Sequence, residues 1–157
     1  MALPGAHLLD EALSPARVFR TRETGKEAVL HFLVDRLAES GEVDDPEALR
    51  SAIFTREGLM STGIGLGVGV PHARISTVRR MVVAMAVNDR PLEEYESIDN
   101  LPVRIVFLVA GRPDQQSNYV RLLAAISHIV KDEGNRNRLL EASTPEDTYA
   151  VIREALG

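Results

Sequence analysis

The 157-residue chain contains no cysteine and no tryptophan, and aromatic residues make up only 4% of it. Without cysteine, disulfides, thiolate nucleophiles and cysteine–zinc sites are excluded together, so any covalent chemistry falls to other side chains. The same absence is compatible with a reducing compartment. Scarce aromatics leave no set of stacking platforms of the kind a single-strand binder uses. Cations are in the minority: 18 Lys and Arg against 23 Asp and Glu give a net charge of -5. With no cationic excess to neutralise a polyanion, no nucleic-acid partner is expected. Long apolar runs are missing too, since none approaches the roughly 18–20 residues that span a bilayer. The first residues, Met1-Ala2-Leu3-Pro4-Gly5-Ala6-His7, lack the basic and apolar stretches of a signal peptide. The chain is therefore expected in the cytoplasm, without direct membrane insertion.

What is present is an ordinary globular composition, 45% hydrophobic and 26% charged, and a length that buries roughly 70% of the unfolded surface in one core. A single domain over residues 1–157 is expected, with no repeat, low-complexity tract or linker.

Thr24-Gly25-Lys26-Glu27 has the spacing of a capping box, and Val29, Phe32, Leu33 and Leu37 follow on one helical stripe that Gly41 closes. Asp45-Pro46 marks a second helix start, its proline placed where the missing N–H costs nothing; this short helix is predicted to end between Arg56 and Gly58. Residues 80–87 and 103–110 are apolar, β-branched runs that read as central strands covered on both faces. Residues 111–117 read as loop. From Asn118, Leu122, Leu123, Ile126, Ile129 and Val130 recur at helical spacing, and Ser143-Thr144-Pro145-Glu146 starts a last helix over residues 146–156. Helices before, between and after strands give the α/β class, a mixed β-sheet flanked by helices.

The densest chemistry lies between Arg56 and Arg74. Glycines at 63, 65, 67 and 69 free the backbone to approach an anion, Ser61 and Thr62 add hydroxyl donors, and Arg56 and Arg74 supply permanent charge. His72 adds an imidazole that is nucleophilic near neutral pH and able to form a phosphoramidate. Together these parts suggest a phosphate cradle around a phosphorylatable histidine. A plainer reading also stands, in which the glycines serve loop geometry and the histidine serves packing. The pattern matches neither G-x-G-x-x-G nor a P-loop, which disfavours a nucleotide. No histidines and carboxylates share a metal-ligand spacing, so neither metal nor cofactor is expected. His128, turned about 200° from Ile126, points to solvent. His31 lies within the first helix and His7 in a loose terminus. The acidic stretches at residues 92–96 and 131–133 read as solvated surface.

The run Ser61-Thr62-Gly63-Ile64-Gly65-Leu66-Gly67-Val68-Gly69-Val70-Pro71-His72, preceded by Arg56-Glu57, closely resembles the phosphorylation motif of the mannitol/fructose-type enzyme IIA domains of the bacterial phosphoenolpyruvate-dependent sugar phosphotransferase system. That group includes the nitrogen-regulatory IIA proteins. The likeness extends through residues 103–108, 122–127 and 139–147. It implies that His72 is the phosphorylated histidine and Arg56 an active-site arginine; with the cradle read above, Ser61, Thr62, Arg74 and Tyr119 are the residues expected to bind the phosphate. It further implies an HPr-like phosphocarrier as donor and, with no cysteine in this chain, a separate IIB protein or a regulated protein as partner. Two departures stand out. Gly69 replaces the family's usual alanine, a small-for-small exchange expected to loosen the strand slightly and leave the site intact. Tyr119 stands where many members carry a second histidine. It is expected either to hydrogen-bond a phosphoryl oxygen or simply to extend the buried face of its helix. Three functions follow: a carrier, a regulatory module controlled by phosphorylation, or a relative that has lost phosphorylation.

Overall fold

The computed structural model describes residues 3–157; Met1 and Ala2, the start of the N-terminal segment read above, lie outside it. Among the described residues six α-helices and six strands follow one another as α1 (Ala6–Ala12), β1 (Val18–Thr21), α2 (Lys26–Ala38), α3 (Pro46–Leu59), β2 (Gly63–Gly65), β3 (Val68–Gly69), β4 (His72–Arg74), β5 (Val82–Leu92), β6 (Val103–Gly111), α4 (Gln116–Val130), α5 (Glu133–Glu141) and α6 (Pro145–Leu156). The expected mixed sheet flanked by helices is present.

Strands β5 and β6 form its centre as an antiparallel pair, and β1 adds parallel to β5. On the other side of β6 the chain supplies two short parallel partners in succession. β3 pairs at Ile105 and Val106, and β4 pairs at residues 109–111. β2 pairs antiparallel with β3 at the sheet edge.

Period-2 alternation along β5 and β6 divides the core between the sheet faces. Val83, Met85, Val87, Ile105, Phe107 and Val109 face α1, α4 and α6, whereas Ala84, Ala86, Leu108 and Ala110 face α2 and α3. Registered pairs such as Met85 with Phe107 keep like faces together. Large side chains of this kind contribute roughly 1.5–3 kcal/mol each by burial, so both faces must be covered. The apolar runs predicted as doubly covered strands are just that.

Several local details differ from the sequence reading. α2 forms where expected, but no side chain caps it. Thr24 instead accepts a hydrogen bond from Arg90, while Gly25 forms a bridge with Glu93 and the Lys26 N–H donates to the Glu93 carbonyl. A Cβ on Gly25 would lie 3.0 Å from that carbonyl oxygen, so the cap position is filled by a strand-like contact. Asp45 does cap α3, accepting from Ala48 N–H at 3.1 Å, and Thr144 caps α6 through Asp147 N–H at 3.0 Å. α3 runs to Leu59 rather than stopping by Gly58.

β5 continues past Val87 because Asn88, fully buried at a register shift, satisfies the irregular backbone there. Its side chain accepts from Thr21 and from the Glu23 N–H and donates to the Glu23 and Arg90 carbonyls. His7, expected in a loose terminus, lies in α1, whose Leu8 and Leu9 enter the core. α5, capped by Asp132, fills a stretch that shows little apolar periodicity.

A groove around His72

The glycine-rich segment is folded into β2, a tight turn and β3, then broken at Val70-Pro71 before β4. Leu66 sits at the turn with φ 61°, flanked by Gly65 and Gly67 at 92° and 78°. The Asp99 carboxylate receives the Leu66 and Leu101 N–H groups, which hold it below the usual carboxylate range. After the break, β4 presents His72 half-buried and Arg74 exposed on the same side of the strand.

His72, Arg74, Arg56 and Tyr119 line one groove, together with Ala52 from α3 and Pro113, Gln116, Val120 and Leu123 near the start of α4. Its volume is about 710 Å³. The His72 Nδ1 lies 2.7 Å from the Val70 carbonyl oxygen. That oxygen only accepts, so Nδ1 carries the proton and Nε2 keeps its lone pair. Arg56 is anchored through Nη1 to the Met60 carbonyl at 2.7 Å, and Arg74 reaches the Pro113 carbonyl at 3.5 Å.

Tyr119 extends the buried face of its helix as expected and also borders the groove. Its ring is buried with Leu122 and Ile126 in the core, yet it also stands edge-on to the His72 ring, centroids 5.8 Å apart, with the Arg74 guanidinium 5.4 Å from its own centroid. Gly111 permits this: a Cβ there would lie 3.0 Å from the ring. The Tyr119 hydroxyl is buried and makes no hydrogen bond among the described residues. Burial pushes the phenol well above the ordinary tyrosine range, against the pull of the Arg74 and Arg56 charges.

Ser61 and Thr62 are not brought into this groove. The Ser61 hydroxyl donates to the Glu96 carbonyl at 2.7 Å, and the buried Thr62 hydroxyl bonds that of Tyr95 at 2.9 Å. Both belong to a polar cluster behind the hairpin, missed by the sequence reading. There Lys26 and Glu57 form an ion pair at 2.7 Å, and the ammonium lies 4.8 Å from the centre of the Tyr95 ring. The stretch at residues 92–96 was expected at the surface. Its Glu93, Glu94 and Glu96 are exposed, but Leu92 and Tyr95 are buried. Their spacing of three within a charged run was the available signal.

The same departure from expectation affects Gly69. A Cβ there would lie 2.4 Å from the Tyr95 hydroxyl oxygen and 2.5 Å from Cζ. The exchange is thus no mild loosening, because the Tyr95 ring fills the space of the alanine methyl. His128 is exposed as expected, and His31 packs against Phe54 while accepting from Arg50 through Nδ1 at 2.8 Å. Among the described residues no helix is long and apolar enough to cross a membrane.

A family model described as "Phosphoenolpyruvate-dependent sugar phosphotransferase system, EIIA 2" matches residues 11–155. The chain is 30% identical over 131 residues to the "PTS system fructose-specific EIIA component" of Haloferax volcanii, covering 83% of this chain and 84% of that one. It is 31% identical over 129 residues to the fructose-specific EIIABC component of Bacillus subtilis, covering 82% of this chain but only 20% of that longer protein. Against the "Nitrogen regulatory protein" of Escherichia coli it is 30% identical over 112 residues, covering 71% and 69% of the two chains.

Among solved structures, nitrogen regulatory protein IIA-Ntr from Neisseria meningitidis superposes with a TM-score of 0.85 at 22% identity, covering 92% of this chain and 99% of that one. Enzyme IIA for mannitol from Escherichia coli, in its complex with phosphorylated enzyme IIB, gives 0.77 at 20% identity, covering 90% and 97%.

Proposed function

Because the chain belongs to the EIIA 2 family of the phosphoenolpyruvate-dependent sugar phosphotransferase system, we propose that it is a cytoplasmic phosphohistidine carrier that receives a phosphoryl group on His72 Nε2 and hands it to a separate protein. The observation that carries this reading is the bond from Nδ1–H to the Val70 carbonyl, which leaves the Nε2 lone pair beside Arg56, Arg74 and Tyr119.

The donor is an HPr-like phosphocarrier bearing its own phosphohistidine. Nε2 attacks phosphorus in line; the new N–P bond forms as the donor's N–P bond breaks, and that electron pair returns to the donor's imidazole. Arg56 and Arg74 offset charge on the three phosphoryl oxygens, and the Tyr119 hydroxyl, buried in the free chain, has to turn toward the groove to donate to one of them. Ser61 and Thr62 act from behind by fixing the hairpin. The second transfer reverses this sequence toward the thiolate of a IIB cysteine. The whole chain works as one module, and no resident metal or cofactor enters either step.

The test is incubation with phosphoenolpyruvate, enzyme I and HPr. One acid-labile phosphate per chain is expected, and none in His72→Ala; unchanged labelling in that variant rejects the assignment.

The likeness to nitrogen regulatory proteins supports a second reading, in which the phosphorylation state controls binding to another protein. A chase of the phosphorylated chain with purified IIB separates the two. Loss of label to IIB marks a carrier, whereas retention marks a regulator.

A further inference from the structure

The Lys26–Glu57 pair touches neither His72 nor the groove, yet three hydrogen bonds, linked through the Thr62 and Val70 backbones, join it to the imidazole. Glu57 Oε1, 2.7 Å from Lys26 Nζ, accepts from the Thr62 N–H at 3.3 Å. The Thr62 carbonyl accepts from the Val70 N–H at 3.0 Å. The Val70 carbonyl in turn accepts from His72 Nδ1 at 2.7 Å. We propose that Glu57, paired with Lys26, is a positioning residue that fixes the Val70 carbonyl and thereby the tautomer in which His72 Nε2 is free to react.

The backbone needs such an anchor here. β3 ends at Gly69 and β4 begins at His72, so Val70 falls in the gap between two ladders, and its N–H goes to Thr62 rather than to β6. The Val70–Pro71 peptide is thus held from two sides, by Thr62 through the Val70 N–H and by β6 through the Pro71 carbonyl, which accepts from the Val109 N–H at 2.9 Å; Thr62 is the anchor on the hairpin side. The glycines on either side of the turn lend the hairpin no side chains with which to hold itself.

Thr62 is held twice from the cluster. Its N–H is held by Glu57 and its hydroxyl by Tyr95, whose ring also faces the Lys26 ammonium. The Glu57 side chain is only 5% exposed and the Thr62 residue 4%, so water is a poor substitute acceptor. Without Glu57 the Thr62 N–H is left buried and unpaired, and the Ser61–Thr62 peptide rotates to find a partner, which shifts the Thr62 carbonyl that follows it. Imidazole released from the Val70 carbonyl reverts toward the Nε2–H form that predominates in water, which blocks the nucleophile.

The consequence for phosphorylation rests on the function proposed above, but the tautomer is read without any phosphodonor. Two doubly substituted proteins isolate the acceptor. Lys26→Met with Glu57→Gln and Lys26→Met with Glu57→Leu both remove the charges together, leaving neither ion unpaired. Only the first keeps an oxygen for the Thr62 N–H.

Nitrogen-15 NMR of the His72 ring, above the ordinary histidine titration range, should show protonated Nδ1 in wild type and in the glutamine protein. The leucine protein should show a mixture shifted toward Nε2–H, with labelling from HPr slowed by about 10- to 100-fold. Wild-type ring shifts in the leucine protein overturn the proposal. So does an Nε2–H tautomer, or an unprotected Thr62 amide in hydrogen exchange, in the wild type itself, a measurement that needs no variant to fold. Absent labelling with the expected tautomer pattern rejects phosphoryl acceptance and leaves the positioning role standing.

Discussion

Gly69 and Tyr95 share one volume: the space an alanine methyl would need at position 69 is taken by the Tyr95 hydroxyl oxygen and Cζ, 2.4 and 2.5 Å from the Cβ position. Gly69→Ala should therefore destabilise the protein by about 1–3 kcal/mol, the usual range for overpacking. Urea unfolding measures it. Combining it with Tyr95→Leu should cost clearly less than the two single changes added together, since the pair is in direct contact.

The Tyr119 hydroxyl is buried without a partner among the described residues. Its removal in Tyr119→Phe should leave thermal stability unchanged or slightly raised, because no hydrogen bond is lost and a desolvated polar group is removed. The same variant should lose phosphorylated protein several-fold faster if the hydroxyl meets a phosphoryl oxygen. Scanning calorimetry and label decay read the two effects separately.

Burial raises the phenols of Tyr95 and Tyr119 above the ordinary value, with the Glu57 charge adding to the shift at Tyr95. A group whose folded pKa is raised stabilises the protein fully below its unfolded pKa, about 10 for tyrosine, and loses that contribution as pH rises through the folded value. Stability should thus decline above about pH 10. Tyrosinate absorbance at 295 nm should show that the amplitude missing from Tyr119→Phe belongs to a step above the ordinary tyrosine range.

Arg56→Ala and Arg74→Ala should each slow labelling by about 10- to 100-fold, below the full effect of a preorganised donor in a water-free site. Arg56→Ala should cost stability as well, because its guanidinium also holds the Met60 carbonyl at the end of α3. Stopped-flow or quenched labelling beside urea melts distinguishes the two contributions.

Asp45→Ala should cost about 1 kcal/mol through loss of the α3 cap. Thr24→Ala should cost less, since the Thr24 hydroxyl caps no helix and meets only Arg90. Urea midpoints of the two variants give the comparison.

What could be read from the sequence was what local patterns encode. Apolar, β-branched runs placed β5 and β6, and Asp45-Pro46 and Thr144-Pro145 placed two helix starts correctly. The capping box at Thr24 failed because its spacing says nothing of Glu93, the strand-end partner that took over the cap position. Short strands such as β1 and β4 owe their existence to pairing with β5 and β6, a long-range effect invisible in four or three residues. At the site, residue types pointed to Arg56, His72 and Arg74 and the family resemblance added Tyr119, and the fold does bring the four together. Ser61 and Thr62 were close in sequence but turn the other way, and their partners Lys26, Glu57 and Tyr95 arrive from three separate segments.

The groove over His72 has α3 and α4 as walls and β4 as floor, and His72 is half-buried at its base. No described residue of this chain roofs it. On the proposed function, water reaches the imidazole between encounters, and a phosphoryl group left there ages by hydrolysis. The charged protein is then a perishable store, and the fraction charged at any moment tells how recently donors have visited. Such a molecule keeps time as well as cargo, with its clock set by the shape of an uncovered surface.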